Sequence, residues 1–278
     1  MKCLFKKIKE SFRSIVEIIM LVFAVFIPYK IDATSLIELC FKNTPIGFDN
    51  IKYLFLMNAG NWVIGVVFML FLLLKFRKFN KEKMFNTQNV YHDYPYLWYW
   101  LCAKILGYEK CNLKLVPVFT QFRLSLNDTF PEYYVGADDD YPVIENEHID
   151  IKKINYNQVS DEVNLILADT YPIDIRNQIP LSKRRLSTIV IERKRSDVSR
   201  YYSPRFVAKT VDEVRNLPSN VKNINVFAAT NPKHTLKISR DAFKLADRGN
   251  IEKLVVFPQE KKGIRKFGRK GKVIYSNR

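Results

Sequence analysis

The chain has 278 residues, enough for one or two domains, and its four cysteines include no C-x-x-C pair, which argues against a zinc ribbon or a disulfide framework. Its net charge of +17 is uneven: residues 1–83 carry 13 basic and 6 acidic side chains, residues 84–160 carry 6 and 10, and residues 161–278 carry 26 and 12. A mildly acidic middle between two basic ends predicts three regions with different roles.

The first region, 1–83, contains two apolar runs. The run Tyr53–Leu74 has 22 residues and no charge, so as a helix of ~1.5 Å per residue it reaches about 33 Å and crosses a hydrocarbon core of ~30 Å. The earlier run is weaker, because Glu17 and Pro28 bound its apolar core, but extended to Phe12–Ile31 it also predicts a membrane-spanning helix. The alternative is a signal peptide, although residues 33–35 make a poor cleavage site.

Flanking charge orients the two predicted helices. Five Lys or Arg residues precede the first run and five follow the second between residues 75 and 83, whereas the loop 30–52 carries three Lys and three acidic residues. Positive residues stay on the cytoplasmic side, so we predict a multi-pass hairpin with N- and C-termini in the cytoplasm. Lys-, Asn- and Ile-rich usage is typical of an AT-rich bacterial genome. Polar and small residues in or beside the runs suit helix–helix contact, namely Glu17, Asn58, Ala59, Gly60, Asn61 and Gly65.

Residues 84–160 are predicted to form an aromatic-rich connecting region of helix and strands. Asp93 is a helix cap, Pro95 lies in the first turn, and Leu97, Leu101 and Ile105 follow at helical spacing. The aromatic side chains of this helix predict either a buried stripe or contact with the lipid headgroup region.

Two further patterns lie in the same region. The sequence LKLVPVFTQFRLSL alternates apolar and polar residues from Phe122 to Leu126, which predicts a strand. The adjacent carboxylates Asp138–Asp140 lie between Gly and Pro, so we expect a solvated loop rather than a metal site.

From residue 161 to 278, short apolar runs alternate with helical patterns. Strands bounded by helices indicate an α/β domain with a largely parallel sheet. The predicted strands are residues 163–168, 187–192, 224–229, 253–257 and 272–275, and the predicted helices are residues 206–217 and 234–249, the second ending in Arg248-Gly249.

Two loops at the carboxyl ends of these strands are candidates for a ligand site. Ligands of open α/β sheets bind beyond the carboxyl ends of the strands, and helix N-termini attract anions. The sequence contains neither G-x-G-x-x-G nor a P-loop, so a dinucleotide cofactor or NTPase activity is disfavoured and no cofactor is expected. An anionic nucleotide fits the hydroxyls and cations of the loops, whereas the alternative is two ordinary turns. The candidate residues are Thr170, Thr230, Asn231, Lys233 and His234.

A competing interpretation is a metal-dependent nuclease. Glu192 and Lys194 are two positions apart and share a strand face, and Asp169 ends an earlier strand, which resembles restriction-endonuclease-like sites. No histidine lies in a recognisable nucleophile or H-E-x-x-H setting, so an ordinary hydrolase is not expected. The basic residues from 183 to 209 surround Tyr201 and Tyr202, a combination that binds nucleic acid or, beside a membrane, anionic lipid.

This arrangement resembles the membrane effectors of prokaryotic anti-phage signalling. In these, a transmembrane hairpin precedes a cytosolic sensor for a cyclic oligonucleotide, of the SAVED, CARF or STING kind. The resemblance rests on domain order and on the strand–turn–helix at Ile224–Phe243 with its partner loop at Asp169–Pro172. It implies a non-enzymatic homo-oligomer in the bacterial inner membrane that assembles on ligand binding and disrupts that membrane. It adds Arg200 and Arg205 as charge clamps on the ligand, and an adaptor without a small-molecule ligand remains the other alternative.

Overall fold

The computed structural model describes residues 2–41, 51–87, 90–136, 141–193, 201–244, 250–260 and 263–276, and side chains from residue 11 onward except 41 and 51–59. The chain forms two compact units, one of residues 1–90 and 97–111 and the other of residues 91–96 and 112–278.

The first unit is helical. Its elements are α1 (Lys2–Lys30), α2 (Ala33–Phe41), α3 (Ile51–Asn80) and most of α4 (Tyr96–Trp100), which continues as a π-helical turn, Leu101–Ile105. Helices α1 and α3 run antiparallel, because Asn80 at the end of α3 donates to Glu17 at 2.8 Å while Asn61, near its start, donates to Asp32 at 2.8 Å.

Small and polar residues mediate the α1–α3 contact, as predicted. A Cβ at Gly65 would lie 2.2 Å from the carbonyl oxygen of Val25, so the two backbones approach too closely for any other residue without a shift. Gly60 has φ +81° at a kink in α3. The side chains of Asn58 and Ala59 lie outside the described residues.

One helix among the described residues is long and apolar enough to cross a membrane, at Ser11–Lys30. This range agrees with the first predicted span. The second predicted span, Tyr53–Leu74, lies within α3, but its first seven side chains are outside the described residues. The described part of α3 presents large exposed apolar side chains, among them Trp62, Val66 and Phe71.

The buried face of the helix that starts at α4 differs from the predicted one. Leu97 is 63% exposed, whereas Tyr99, Cys102 and Leu106 are fully buried. Tyr99 packs edge-on against Phe85, with the ring centroids 5.5 Å apart. Only part of the predicted aromatic stripe is buried, since Trp100 is 39% exposed.

The second unit contains a six-stranded sheet. Its strands are β3 (Ile149–Ile154), β4 (Glu162–Ala168), β5 (Ser187–Arg193), β6 (Asn223–Ala229), β7 (Lys253–Val256) and β8 (Lys272–Ser276). Two short strands precede them in the chain and pair with each other, β1 (Lys110–Asn112) and β2 (Glu132–Tyr134). The sheet order is β3-β5-β4-β6-β7-β8. The expected α/β class is confirmed, but the sheet is mixed, because both edge strands run antiparallel to the four parallel strands between them.

Helices cover both faces of this sheet. One face packs on α5 (Val118–Leu126), α7 (Pro204–Arg215) and α8 (Pro232–Ile238), whose last turns continue as a π-helix, Ser239–Lys244. The other face packs on α6 (Ile175–Gln178) and on aromatic residues of the C-terminal segment, including Phe257 and Phe267. The predicted end of the last helix, at Arg248-Gly249, lies outside the described residues.

Helix α5 corrects the prediction of a strand near residues 122–126. Its apolar residues Val118, Phe119, Phe122 and Leu126 all pack on the core beneath the sheet. These positions lie at helical spacing, and the same letters happen to alternate over the shorter window from 122 to 126. Pro117 occupies the N-cap position and stops the helix from extending backward.

Candidate functional site

The two loops at the carboxyl ends of β4 and β6 lie side by side, as the predicted cleft requires. Strands β4 and β6 are parallel neighbours, with Ala168 opposite Ala229. The amide and hydroxyl of Thr170 both donate to the carbonyl oxygen of Ala229, at 2.9 and 2.8 Å. The loops are therefore bonded directly to one another.

Asp169 is the centre of the contact between these loops. Its side chain is completely buried, and its carboxylate accepts hydrogen bonds from the Asn231 backbone N–H at 2.9 Å, from His234 Nδ1 at 2.7 Å and from Arg193. Burial opposes ionisation, yet the pKa of Asp169 is lowered, because these donors and the Arg193 charge stabilise the carboxylate. The Asp169 carboxylate is thus an anion of the protein itself that lies at the start of α8.

The hydrogen bonds of His234 determine its tautomer. The backbone N–H of Ser203 donates to His234 Nε2 at 2.8 Å, so Nε2 carries no proton. Nδ1 is then the ring nitrogen that carries a proton and donates a hydrogen bond to Asp169. The ring is fully buried and lies against Tyr202 and Phe206, with centroids 5.3 and 5.2 Å away.

Ser203, His234 and Asp169 do not form a nucleophilic triad despite their residue types. The Ser203 hydroxyl accepts the Phe206 N–H at 3.2 Å as the N-cap of α7. The ring nitrogen that would take the serine proton is occupied by the Ser203 backbone. These groups therefore position the starts of α7 and α8.

Arg193 extends the cluster to a second carboxylate. Its Nε donates to Glu147 at 2.8 Å, and both side chains are buried. Glu147 is brought here because the preceding segment pairs with Tyr202, whose carbonyl oxygen accepts the Ile144 N–H at 2.9 Å. We refer to the side chains of Glu147, Asp169, Arg193, Ser203, Asn231 and His234 as the buried polar cluster.

Four of these residues are absent from the predicted ligand site: Glu147, Asp169, Arg193 and Ser203. Asp169 belongs to the competing nuclease hypothesis, and Arg193 belongs to the basic stretch from 183 to 209. Strand alternation carried a usable signal for Arg193, because Ile189 and Ile191 belong to the core on the α7 side and residue 193 follows them on the same face. Nothing in the sequence around Glu147 indicates its burial.

The predicted ligand residues differ in accessibility. Thr230, Asn231 and His234 are buried, with Thr230 and Thr235 sharing a 2.7 Å hydroxyl contact and Asn231 capping α8 through the His234 N–H at 2.8 Å. Thr170 and Arg205 are exposed. Lys233 is half-buried, with its ammonium 5.1 Å above the centre of the Tyr202 ring. Arg200 lies outside the described residues.

The residues of the nuclease hypothesis are not brought together on one face. Glu192 is paired in register with Ala168, so it points away from the side on which Asp169 meets Arg193. Its carboxylate lies 3.5 Å from Lys152. Lys194 is outside the described residues. Among the side chains that are described, no group of three or more His, Cys, Asp or Glu could hold a metal ion.

Comparison with known proteins gives one family match. The family described as "SMODS- and Ubiquitin system-associated 2TM effector domain" matches residues 1–274. No curated protein sequence matches the chain.

Two solved structures are distantly similar to the chain. They are the SAVED/CARF-domain containing receptor Cap4 of Acinetobacter baumannii with the cyclic trinucleotide 3'3'3'-cAAA, at 11% identity and a TM-score of 0.40, and the same receptor with 2'3'3'-cAAA, at 12% and 0.38. The matches cover 65% and 59% of this chain, which spans only 42% and 39% of those receptor chains.

Proposed function

Because the chain belongs to the family of SMODS- and ubiquitin system-associated 2TM effector domains, we propose that it is a membrane-anchored effector of anti-phage defence. In this proposal the α/β unit binds an anionic nucleotide second messenger. Binding drives assembly of several copies, and the clustered hairpins disrupt the inner membrane. The observation that carries the proposal is the extent of the family match, which includes the apolar helix at Ser11–Lys30 and the α/β sheet up to residue 274, within its last strand.

The membrane part of the proposal is supported by the helical unit. Helices α1 and α3 are antiparallel and bonded at both ends of their contact, through Glu17 with Asn80 and Asp32 with Asn61. Phe23, Phe26 and Trp62 are among the apolar side chains left exposed on the two helices. We propose that both helices span the membrane and that both termini lie in the cytoplasm, as the basic flanks of the runs suggest.

The ligand site is proposed at the carboxyl edge of the sheet. Thr170, Lys233 and Arg205 are the accessible candidates for ligand contact, together with Arg200. Thr230, Asn231 and His234 support the loops from inside, because their polar atoms are engaged within the protein. A ligand here would bind at the surface of the loops and depend on the buried polar cluster for their shape.

The test is a thermal-shift screen of the detergent-solubilised full chain against cyclic di-, tri- and tetranucleotides. A ligand at ~100-fold over its dissociation constant adds roughly 2.7 kcal/mol to the free energy of unfolding and raises the melting temperature. Lys233→Ala should weaken the response, whereas Lys237→Ala, an exposed lysine on the same helix, should not. No shift with any cyclic nucleotide would overturn the sensing part.

Membrane disruption is tested separately, in dye-loaded vesicles of phosphatidylethanolamine and phosphatidylglycerol that contain the full chain. Adding the nucleotide that raises the melting temperature should release the dye and increase the size of the solubilised oligomer. Nucleotide binding without dye release would restrict the hairpin to an anchor.

We propose that the effector acts without catalysis, and the competing nuclease hypothesis has a direct test. The full chain is incubated with double-stranded DNA and Mg²⁺, beside Glu192→Gln. DNA cleavage that disappears in the variant would assign a metal-dependent nuclease to β5 and overturn the non-catalytic proposal.

A further inference from the structure

A cavity of about 920 Å³ opens at the amino edge of the sheet, opposite the loops of the proposed nucleotide site. The first residues of three parallel strands line it, namely Glu162 of β4, Asn223 of β6 and Lys253 of β7. Its size lies in the range of small-molecule sites, ~300–1,000 Å³. All of the lining residues belong to the second unit.

Two of the three acidic residues of the cavity are already paired. Lys183 Nζ lies 2.5 Å from the Glu162 carboxylate, and Lys222 Nζ lies 2.8 Å from that of Glu252. Burial of Glu162 acts to raise its pKa, yet the pKa is lowered, because Lys183, Asn225 and the nearby charge of Lys253 stabilise the carboxylate. Asp161 lines the same cavity and is exposed.

Three further cations line the cavity without a carboxylate of their own. Lys253, Arg269 and Lys270 are exposed and form no ion pair within 4.0 Å among the described residues. Asp161 is the remaining carboxylate among the described lining residues, which therefore carry an excess of two positive charges. A concave surface with low-dielectric walls concentrates the field of such charges on whatever enters it.

Arg269 and Lys270 lie on a wall of the cavity where the backbone at Gly271 packs closely on the side chains of strand β7 and the residues after it. A Cβ at Gly271 would lie 2.2 Å from Val255 Cγ1 and 3.0 Å from the Phe257 ring, so only glycine allows the chain to pass here. Gly271 directly follows Lys270 and precedes β8, which pairs with β7. The pairing of β8 with β7 thus sets the positions of Arg269 and Lys270 at the cavity. Elsewhere in the lining, the buried Asn225 donates a hydrogen bond to the Glu162 carboxylate at 2.9 Å.

We propose that this cavity binds the phosphate groups of a soluble phosphorylated ligand of nucleotide size. Lysine and arginine hydrogen bonds to phosphate are charge-assisted, and three converging cations suit a ligand with two or more phosphates. We take the ligand to be soluble because all of the lining residues belong to the second unit, whereas the apolar helix belongs to the first. This site is separate from the carboxyl-edge site, and the proposal requires neither a cyclic nucleotide nor membrane disruption.

The test is calorimetric titration of the detergent-solubilised full chain with inorganic tripolyphosphate. Lys253→Gln/Arg269→Gln should weaken binding about 100-fold, roughly tenfold for each charged hydrogen-bonding partner removed. The matched control is Lys237→Gln/Arg176→Gln, which removes one lysine and one arginine from exposed positions that do not line the cavity. It should bind as the wild type does, and both variants should melt at the wild-type temperature because all four side chains are exposed.

A third variant tests the sign of the electrostatic argument. Asp161→Asn removes the unpaired carboxylate of the cavity and should strengthen tripolyphosphate binding. The proposal is overturned if the wild type does not bind tripolyphosphate, or if the cavity and control variants lose the same affinity. These titrations contain no cyclic nucleotide, so a negative result would overturn only the phosphate site at the amino edge. A negative result in the cyclic-nucleotide screen would overturn only the proposed sensing function.

Discussion

The two edges of one sheet use polar residues in opposite ways. At the carboxyl edge, Asp169, Arg193 and His234 are buried and bind one another, so their charges and hydrogen bonds hold the loops together. At the amino edge, Lys253 and Arg269 are exposed around a cavity and form no ion pair among the described residues. Charged and polar residues therefore stabilise the fold at the carboxyl edge, whereas at the amino edge they are available to bind a ligand.

The largest expected effect is the loss of Asp169. Asp169→Ala leaves the buried Arg193 charge, the His234 Nδ1 proton and the Asn231 N–H without their acceptor, and should lower the free energy of unfolding by about 3–5 kcal/mol. Thermal unfolding in detergent measures it. Glu145→Ala removes an exposed carboxylate from the same unit and should have little effect. Equal melting temperatures for the two variants would show that the cluster does not stabilise the loops.

Acid should weaken the carboxyl edge in a defined direction. The pKa of Asp169 is lower in the folded protein than the ~3.9 of an unfolded chain, so the unfolded state binds the proton first as the pH falls. The stabilisation is complete above about pH 5 and is lost progressively below about pH 4. The stability difference between the wild type and Asp169→Asn should therefore be constant above about pH 5 and narrow between about pH 5 and about pH 3. A difference that stays constant down to about pH 3 would mean that the carboxylate charge is not what stabilises the cluster.

At the amino edge, the expected effect on stability comes from the backbone. Gly271→Ala places a methyl group against Val255 and Phe257 and should destabilise the protein by about 1–3 kcal/mol, with weaker tripolyphosphate binding as the wall shifts. Gly268→Ala is the matched control, because its Cβ would meet its nearest neighbour, Pro258, at an ordinary 3.4 Å. Similar unfolding curves for the two variants would contradict the close approach.

The smallest effect on stability is expected for the cations of the cavity. Arg269→Gln should change the free energy of unfolding by no more than about 0.5 kcal/mol, since the side chain is exposed and holds no ion pair among the described residues. Tripolyphosphate affinity should fall in the same variant. A large loss of stability with unchanged tripolyphosphate affinity would show that Arg269 stabilises the fold and does not bind the ligand.

The family match over residues 1–274 confirms the predicted resemblance to two-helix transmembrane effectors of anti-phage systems. The sequence features behind that prediction were the apolar N-terminal runs and the strand–turn–helix at Ile224–Phe243. In the structure this segment is β6, the Asn231 cap and α8 with its π-helical extension. The division of the chain at residues 83 and 160 and the ligand contacts remain predictions.

Two elements differ from the sequence prediction for identifiable reasons. Strand β3 has the sequence IDIKKI, which is too polar to predict a strand, as can be the case for an antiparallel edge strand. Helix α5 has a sequence that predicts a strand because alternation over five residues also fits a helix face. In both cases the neighbouring strands or the core decide the structure, and a short local window does not contain that information.

The sequence by itself determined the central strands β4, β5, β6 and β7, because each contains a short apolar run that is buried in the sheet. It also determined the N-terminal apolar helix and the loops that follow β4 and β6, whereas the pairing that makes these loops neighbours came from the structure. Only the tertiary structure decided that Asp169 and His234 bind each other and that Arg193 and Glu147 join them. The identity of a polar residue does not tell whether its partner is water, a ligand or another side chain. Its burial and its distance from remote segments of the chain decide which partner it has.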